Sequence, residues 1–130
     1  MKIAVIVGTR PEAIKLIPLY MELKKRGTDV SLILTGQHKQ MVEQIMRFFS
    51  VSADIDLDLM KHNQKLAELS ASLLVALNTV FENGKYDMVI VQGDTTTAMI
   101  GAMTAFYNGI KIAHVEAGLR TYNLRSPYPE

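Results

Sequence analysis

Short polar clusters carrying chemically capable residue types follow the apolar runs of this chain. The first is Gly8-Thr9-Arg10-Pro11-Glu12, behind Ile3-Ala4-Val5-Ile6-Val7, with Lys15 a little further on. Proline at a first helical position and an acid in the first turn both suit a helix N-terminus, whose free N–H groups attract anions. Arg10 on the loop and Lys15 about one turn into the helix add cations placed to approach one anion from different sides. The cluster serves either a phosphate-bearing ligand or a solvated turn with surface cations.

Further clusters are Thr35-Gly36-Gln37-His38, Gln92-Gly93-Asp94-Thr95-Thr96-Thr97 and Glu116-Ala117-Gly118-Leu119-Arg120. Asp94 lies just ahead of a helical pattern, which makes it either an N-cap or a carboxylate aimed into a cleft as base, acid or metal ligand. In the second case the threonines are free to bond a phosphate or sugar. His114 ends an apolar strand and Glu116 follows two residues later, a spacing that points both the same way. A lone histidine there is more often a satisfied core residue. A carboxylate directly after an apolar strand needs a partner, and Arg10 or Arg120 can supply it. His38 falls in a first helical turn, where a surface polar residue is equally at home. No G-x-G-x-x-G follows the first strand, no acid for a ribose ends the second, and no P-loop is present, which argues against a dinucleotide enzyme.

The elements that must hold these clusters alternate in period. Lys2–Val7 and Asp29–Leu34 read as strands, as do residues 88–91 and 110–115, while residues 51–61 carry an Asp-Ile-Asp-Leu alternation that suits an edge strand. Helices are expected over residues 11–26, 37–49, 65–82 and 95–107. Pro18 should kink or divide the first. Met41, Ile45, Met46 and Phe49 should share the buried face of the second, and Asn83-Gly84 should turn the chain after the third. Strands separated by helices imply right-handed crossovers and a doubly wound, Rossmann-like α/β domain with a parallel sheet. Open parallel sheets bind ligands at the carboxyl ends of their strands, where all these clusters converge.

Composition bounds the rest. A chain of 130 residues, 48% hydrophobic, suits one domain. A formal net charge of +1 gives no bulk attraction to nucleic acid or a membrane surface, so anion recognition must be local. The absence of cysteine excludes a disulfide scaffold and a thiolate metal site. The apolar run after Lys2 is too short for a signal sequence and no later run is long enough to span a bilayer, so a cytoplasmic protein is expected.

The segments GTRPEAIKLIPL at residues 8–19, TGQH at 35–38, QGDTTT at 92–97, HVEAGLRT at 114–121 and SPYPE at 126–130 occur in order along the whole chain. Together they resemble the UDP-N-acetylglucosamine 2-epimerases, and the full GTRPEAIK form resembles the non-hydrolysing branch, which interconverts UDP-GlcNAc and UDP-ManNAc. The resemblance implies the N-terminal half of a glycosyltransferase-B-like fold, with residues 1–130 forming a Rossmann-like domain that faces a C-terminal domain absent from this sequence. It implies elimination and re-addition of UDP without metal or redox cofactor. It matches Arg10 and Lys15 to the diphosphate, Asp94, Glu116 and Glu130 to the acids that transfer protons or hold the site, without choosing the base among them, and Gln37, His38 and Gln40 to contacts of an allosteric UDP-GlcNAc. Asn63 departs from that last pattern, standing where several bacterial members carry a basic residue. A homodimer is expected, with negligible turnover by these residues alone. A hydrolysing epimerase, another nucleotide-sugar enzyme of the same fold, and a non-catalytic nucleotide-sugar-binding fragment are the alternatives.

Overall fold

The computed structural model describes residues 1–118 and 120–126. It contains strands β1 (Lys2–Val7), β2 (Asp29–Leu34), β3 (Ile55–Asp56), β4 (Met88–Gln92) and β5 (Lys111–Val115), alternating with helices α1 (Arg10–Lys25), α2 (Lys39–Phe48), α3 (Leu66–Gly84) and α4 (Thr96–Tyr107). The strands form one parallel sheet in the order β3-β2-β1-β4-β5. β1 lies at its centre because it is apolar on both faces, as a strand covered by helices on each side must be.

Alternation along β1 divides the core. Ile3, Val5 and Val7 pack with Leu16, Ile17 and Tyr20 of α1 and with Val42 and Met46 of α2. Ala4 and Ile6 face the other way, onto Leu77 and Phe81 of α3 and Ala98 and Ala105 of α4. The sheet is therefore doubly wound, as the alternating pattern predicts. The winding reverses between β2 and β4, both neighbours of β1, and a crevice opens there at the carboxyl ends of the strands.

Several local expectations need correction. α1 runs through Pro18 as one helix. Proline removes the bond to the carbonyl four residues back, and here both Pro18 and Ile14 lie on the exposed side, where water can take that carbonyl. Met41 is 52% exposed, and the buried residues of α2 are Val42 and Met46. α3 continues through Gly84, and the left-handed residue after it is Lys85. A Cβ on Gly84 would fall 2.3 Å from the Tyr86 ring, so this glycine admits an aromatic side chain rather than making the turn. β5 is an edge strand with Ile112 and His114 exposed, not the buried strand that its apolar composition implies.

Candidate active site

At the carboxyl edge of the sheet lies a cleft of about 650 Å³, within the usual range for small-molecule sites. α1 contributes Pro11 and Lys15, the loop after β4 contributes Gln92 to Thr95, and the first turns of α4 close one side. His114, Glu116, Gly118 and Arg120 enter from β5 and the chain beyond it. The structure thus gathers Lys15, Asp94, His114 and Glu116, which are widely spaced in sequence, around one space.

Glu116 is the best-tied of these. Lys15 Nζ and Gln92 Nε2 both donate to its Oε2. The Lys15 ammonium holds the Glu116 carboxyl below the usual carboxylate range, with Gln92 adding to the effect against partial desolvation. Its backbone sits in the left-handed region at φ 59°, an uncommon conformation for a residue with a side chain. Of the partners expected for Glu116, Arg10 or Arg120, the first gives way to Lys15. The reason is helical geometry, since five residues at 3.6 per turn place Arg10 and Lys15 about 140° apart around α1. Arg10 is exposed and, among the described residues, does not line the cleft.

Asp94 is exposed to the cleft, and no described side chain hydrogen-bonds its carboxylate. It is not the N-cap of α4. That position belongs to Thr95, whose hydroxyl oxygen accepts the Ala98 N–H at 3.0 Å. The cap one residue later leaves Asp94 available to a ligand. His114 is likewise no core residue. Its Nε2 lies 2.6 Å from the Gly93 carbonyl, which can only accept, so Nε2 carries a proton.

The threonines are more committed than their sequence position implies. Besides capping α4, the Thr95 hydroxyl donates to Glu12 Oε1. Thr97 is fully buried, donates to Gln37 Oε1 at 2.7 Å and lies 3.2 Å from the Thr35 hydroxyl. Gln37 is thereby tied to α4. His38 is the exposed N-cap position of α2 and Gln40 lies exposed in its first turn, and none of the three lines the cleft. Glu130 falls outside the described residues.

Sequence reasoning missed Glu12 and Gln92. Glu12 is 1% exposed, its Oε2 accepting N–H groups from Gly8 at 2.6 Å and Thr9 at 2.7 Å. Burial pushes its carboxyl up, against the lowering effect of the bonds from Thr95, Gly8 and Thr9. The T-x-x-E spacing of Thr9 and Glu12 is the signal available for it, a capping-box pattern. Gln92 left a weaker trace, a buried polar side chain ending an apolar strand. Among the described residues no group of three or more His, Asp or Glu is arranged to hold a metal ion. Nor is any described helix long and apolar enough to cross a membrane.

Sheet order and cleft together define a Rossmann-like α/β domain with its polar site at the carboxyl edge. The family model for UDP-N-acetylglucosamine 2-epimerase matches residues 21–130, and the chain belongs to that family. The UDP-N-acetylglucosamine 2-epimerase of Bacillus subtilis strain 168 is 48% identical across the full chain, which spans 34% of that relative. A crystal structure of the Neisseria meningitidis UDP-GlcNAc 2-epimerase bound to UDP-GlcNAc superposes on the whole chain with a TM-score of 0.92 at 46% identity, and 35% of it is covered. The Methanocaldococcus jannaschii UDP-GlcNAc 2-epimerase in complex with UDP-GlcNAc and UDP matches 96% of the chain and 35% of its own length, with a TM-score of 0.89 at 35% identity. The chain thus spans about a third of the length of these relatives.

Proposed function

We propose that this chain is the N-terminal part of an enzyme that interconverts UDP-GlcNAc and UDP-ManNAc, acting from the cleft at the carboxyl edge of the sheet. The observation that carries the reading is the convergence of Lys15, Asp94 and Glu116 on one small-molecule-sized cleft, in a family two of whose solved members hold UDP-GlcNAc. The C1–O bond breaks and UDP leaves with its electron pair, while the C2 proton passes to a carboxylate and a C1–C2 double bond forms. UDP then returns to C1, and a proton reaches C2 from the opposite face. Lys15 supplies positive charge for the departing diphosphate, and Arg10, outside the cleft of these residues, is a further diphosphate candidate once the C-terminal domain completes the site.

Among the described acids, Asp94 is the better base. It is exposed and has no partner among the described residues, whereas Lys15 holds the Glu116 carboxyl down and so makes it a weaker base. Glu116 then holds Lys15 in place, and Glu130 is a further acid for proton transfer. Gln37, His38 and Gln40 remain candidates for a second UDP-GlcNAc on the neighbouring loop. The reading extends to the cytoplasm, to a homodimer, and to a C-terminal domain that completes the cleft in the manner of a glycosyltransferase-B-like fold.

A proton NMR time course with UDP-GlcNAc in heavy water tests this, run on the chain itself and on a form extended to the length of its relatives. Deuterium should enter C2 and UDP-ManNAc should appear in the extended form only. Asp94→Asn in that form should lower the exchange rate by about 100-fold or more. Turnover by the isolated chain would remove the need for further residues. Release of free ManNAc would indicate a hydrolysing enzyme, and binding without exchange a non-catalytic role.

A further inference from the structure

Glu12 is a buried carboxylate to which elimination and re-addition assign no task. As a capping-box acid it needs only the N–H of Thr9, the residue before α1. It does more than that. Oε2 accepts from both Gly8 and Thr9 on the loop after β1, and Oε1 accepts the hydroxyl of Thr95 on the loop after β4. Thr95 Oγ1 in turn accepts the Ala98 N–H of α4. One side chain therefore joins the N-termini of α1 and α4 across the crevice where the sheet reverses its winding.

The groups at either end of this tie matter to the cleft. Lys15 rides on α1, whose N-terminus the Gly8 and Thr9 bonds anchor, and Asp94 directly precedes Thr95. We infer that Glu12 is a positioning residue that fixes Asp94 relative to Lys15, acting through the Thr95 hydroxyl. All of its partners donate to it, and a carboxylate accepts at both oxygens. An amide of the same shape would turn an NH₂ group toward either a backbone N–H or the Thr95 hydroxyl. In the first case the buried Gly8 and Thr9 N–H groups face a donor and lose their acceptor; in the second the Thr95 hydroxyl must reverse and accept, giving up its own bond to the side chain at position 12, so the tie between the loops weakens either way. Reactions of this kind are sensitive to displacements of about 1 Å between groups, so the loss should fall on the chemical step.

The kinetic consequence rests on the epimerase reading above, and the test separates the two. In the form extended to the length of its relatives, Glu12→Gln, Thr95→Val and their combination are compared with wild type for kcat and KM, for thermal unfolding, and for deuterium exchange of the backbone over residues 92–98. Each single change should lower kcat by about 10- to 100-fold with KM altered less than about threefold. The double variant should fall no further than the singles, Thr95→Ser should restore activity, and backbone exchange over residues 92–98 should rise in Glu12→Gln. Unchanged kcat, or losses that multiply in the double variant, would overturn the inference. Should Glu12→Gln fail to fold, the contrast between Thr95→Val and Thr95→Ser carries the same comparison. If wild type itself shows no epimerisation, the proposed activity fails. Backbone exchange then decides alone, an increase supporting the tie and no change refuting it.

Discussion

Glu12 and Glu116 are carboxylates on the same edge of one sheet, and their surroundings move them in opposite directions. The Lys15 ammonium holds Glu116 down, whereas burial pushes Glu12 up. The unfolded chain therefore binds a proton at Glu116 more readily than the folded one. The stability from the Lys15 pair is present above the usual carboxylate range and lost as pH falls through the lowered folded value. Both side chains are nearly half exposed, so water screens the pair and its share is small. Glu12 runs the other way, since the cost of its buried charge is relieved as pH falls through its raised value. Side-chain carbon NMR titration of the folded chain should find Glu116 titrating below the usual range and Glu12 above it. Lys15→Met should move the Glu116 midpoint upward and leave Glu12 in place. An unmoved Glu116 would show that the pair does not form in solution.

At the scale of elements, the loop after β1 is held against two others by close approach. A Cβ on Gly8 would stand 2.1 Å from Thr97 Oγ1 and 2.4 Å from Thr35 Oγ1, both on buried threonines. Neither hydroxyl can give way easily, because Thr97 is bonded to Gln37 and the threonines face one another. Gly8→Ala should therefore destabilise the fold by about 1–3 kcal/mol through overpacking, measured by thermal or denaturant unfolding. Gly27→Ala, in an exposed left-handed turn with nothing near the missing Cβ, should cost about 1 kcal/mol from positive-φ strain alone and so shows the effect of strain without overpacking. The Gly8 contacts also explain why the loops meet at a fixed distance. The first loop cannot shift toward α4 without carrying the Thr35 and Gln37 loop along.

Over the whole molecule, stability should be greatest at the centre of the sheet. β1 is paired on both sides and covered by helices on both faces, while β3 is only two residues long and β5 is paired on one side with Ile112 40% exposed. Native-state amide exchange should show β1 and β4 opening only with global unfolding and β5 and β3 opening earlier. Protection of β5 equal to that of β1 would contradict this order. Ile6→Ala, which empties a fully buried position between β1 and α4, should cost about 2–5 kcal/mol. The cleft spans the carboxyl ends of β1, β4 and β5, so one wall stands on the central strand and the other on the edge strand.

The sequence by itself determined the order of strands and helices, the parallel doubly wound sheet and the edge at which the cleft opens. Each follows from hydrophobic period and from short polar clusters after apolar runs, which are local properties of the chain. The family was legible for the same reason, because its motifs are contiguous segments. Pairings between distant loops were decided only by tertiary structure. Lys15 rather than Arg10 meets Glu116 because the turn of α1 separates the cations, and Thr95 rather than Asp94 caps α4 because the loop closes one residue later. The joining of β1 and β4 loops by Glu12 depends on which strands become neighbours, and on an interior that leaves its carboxylate no water to turn to.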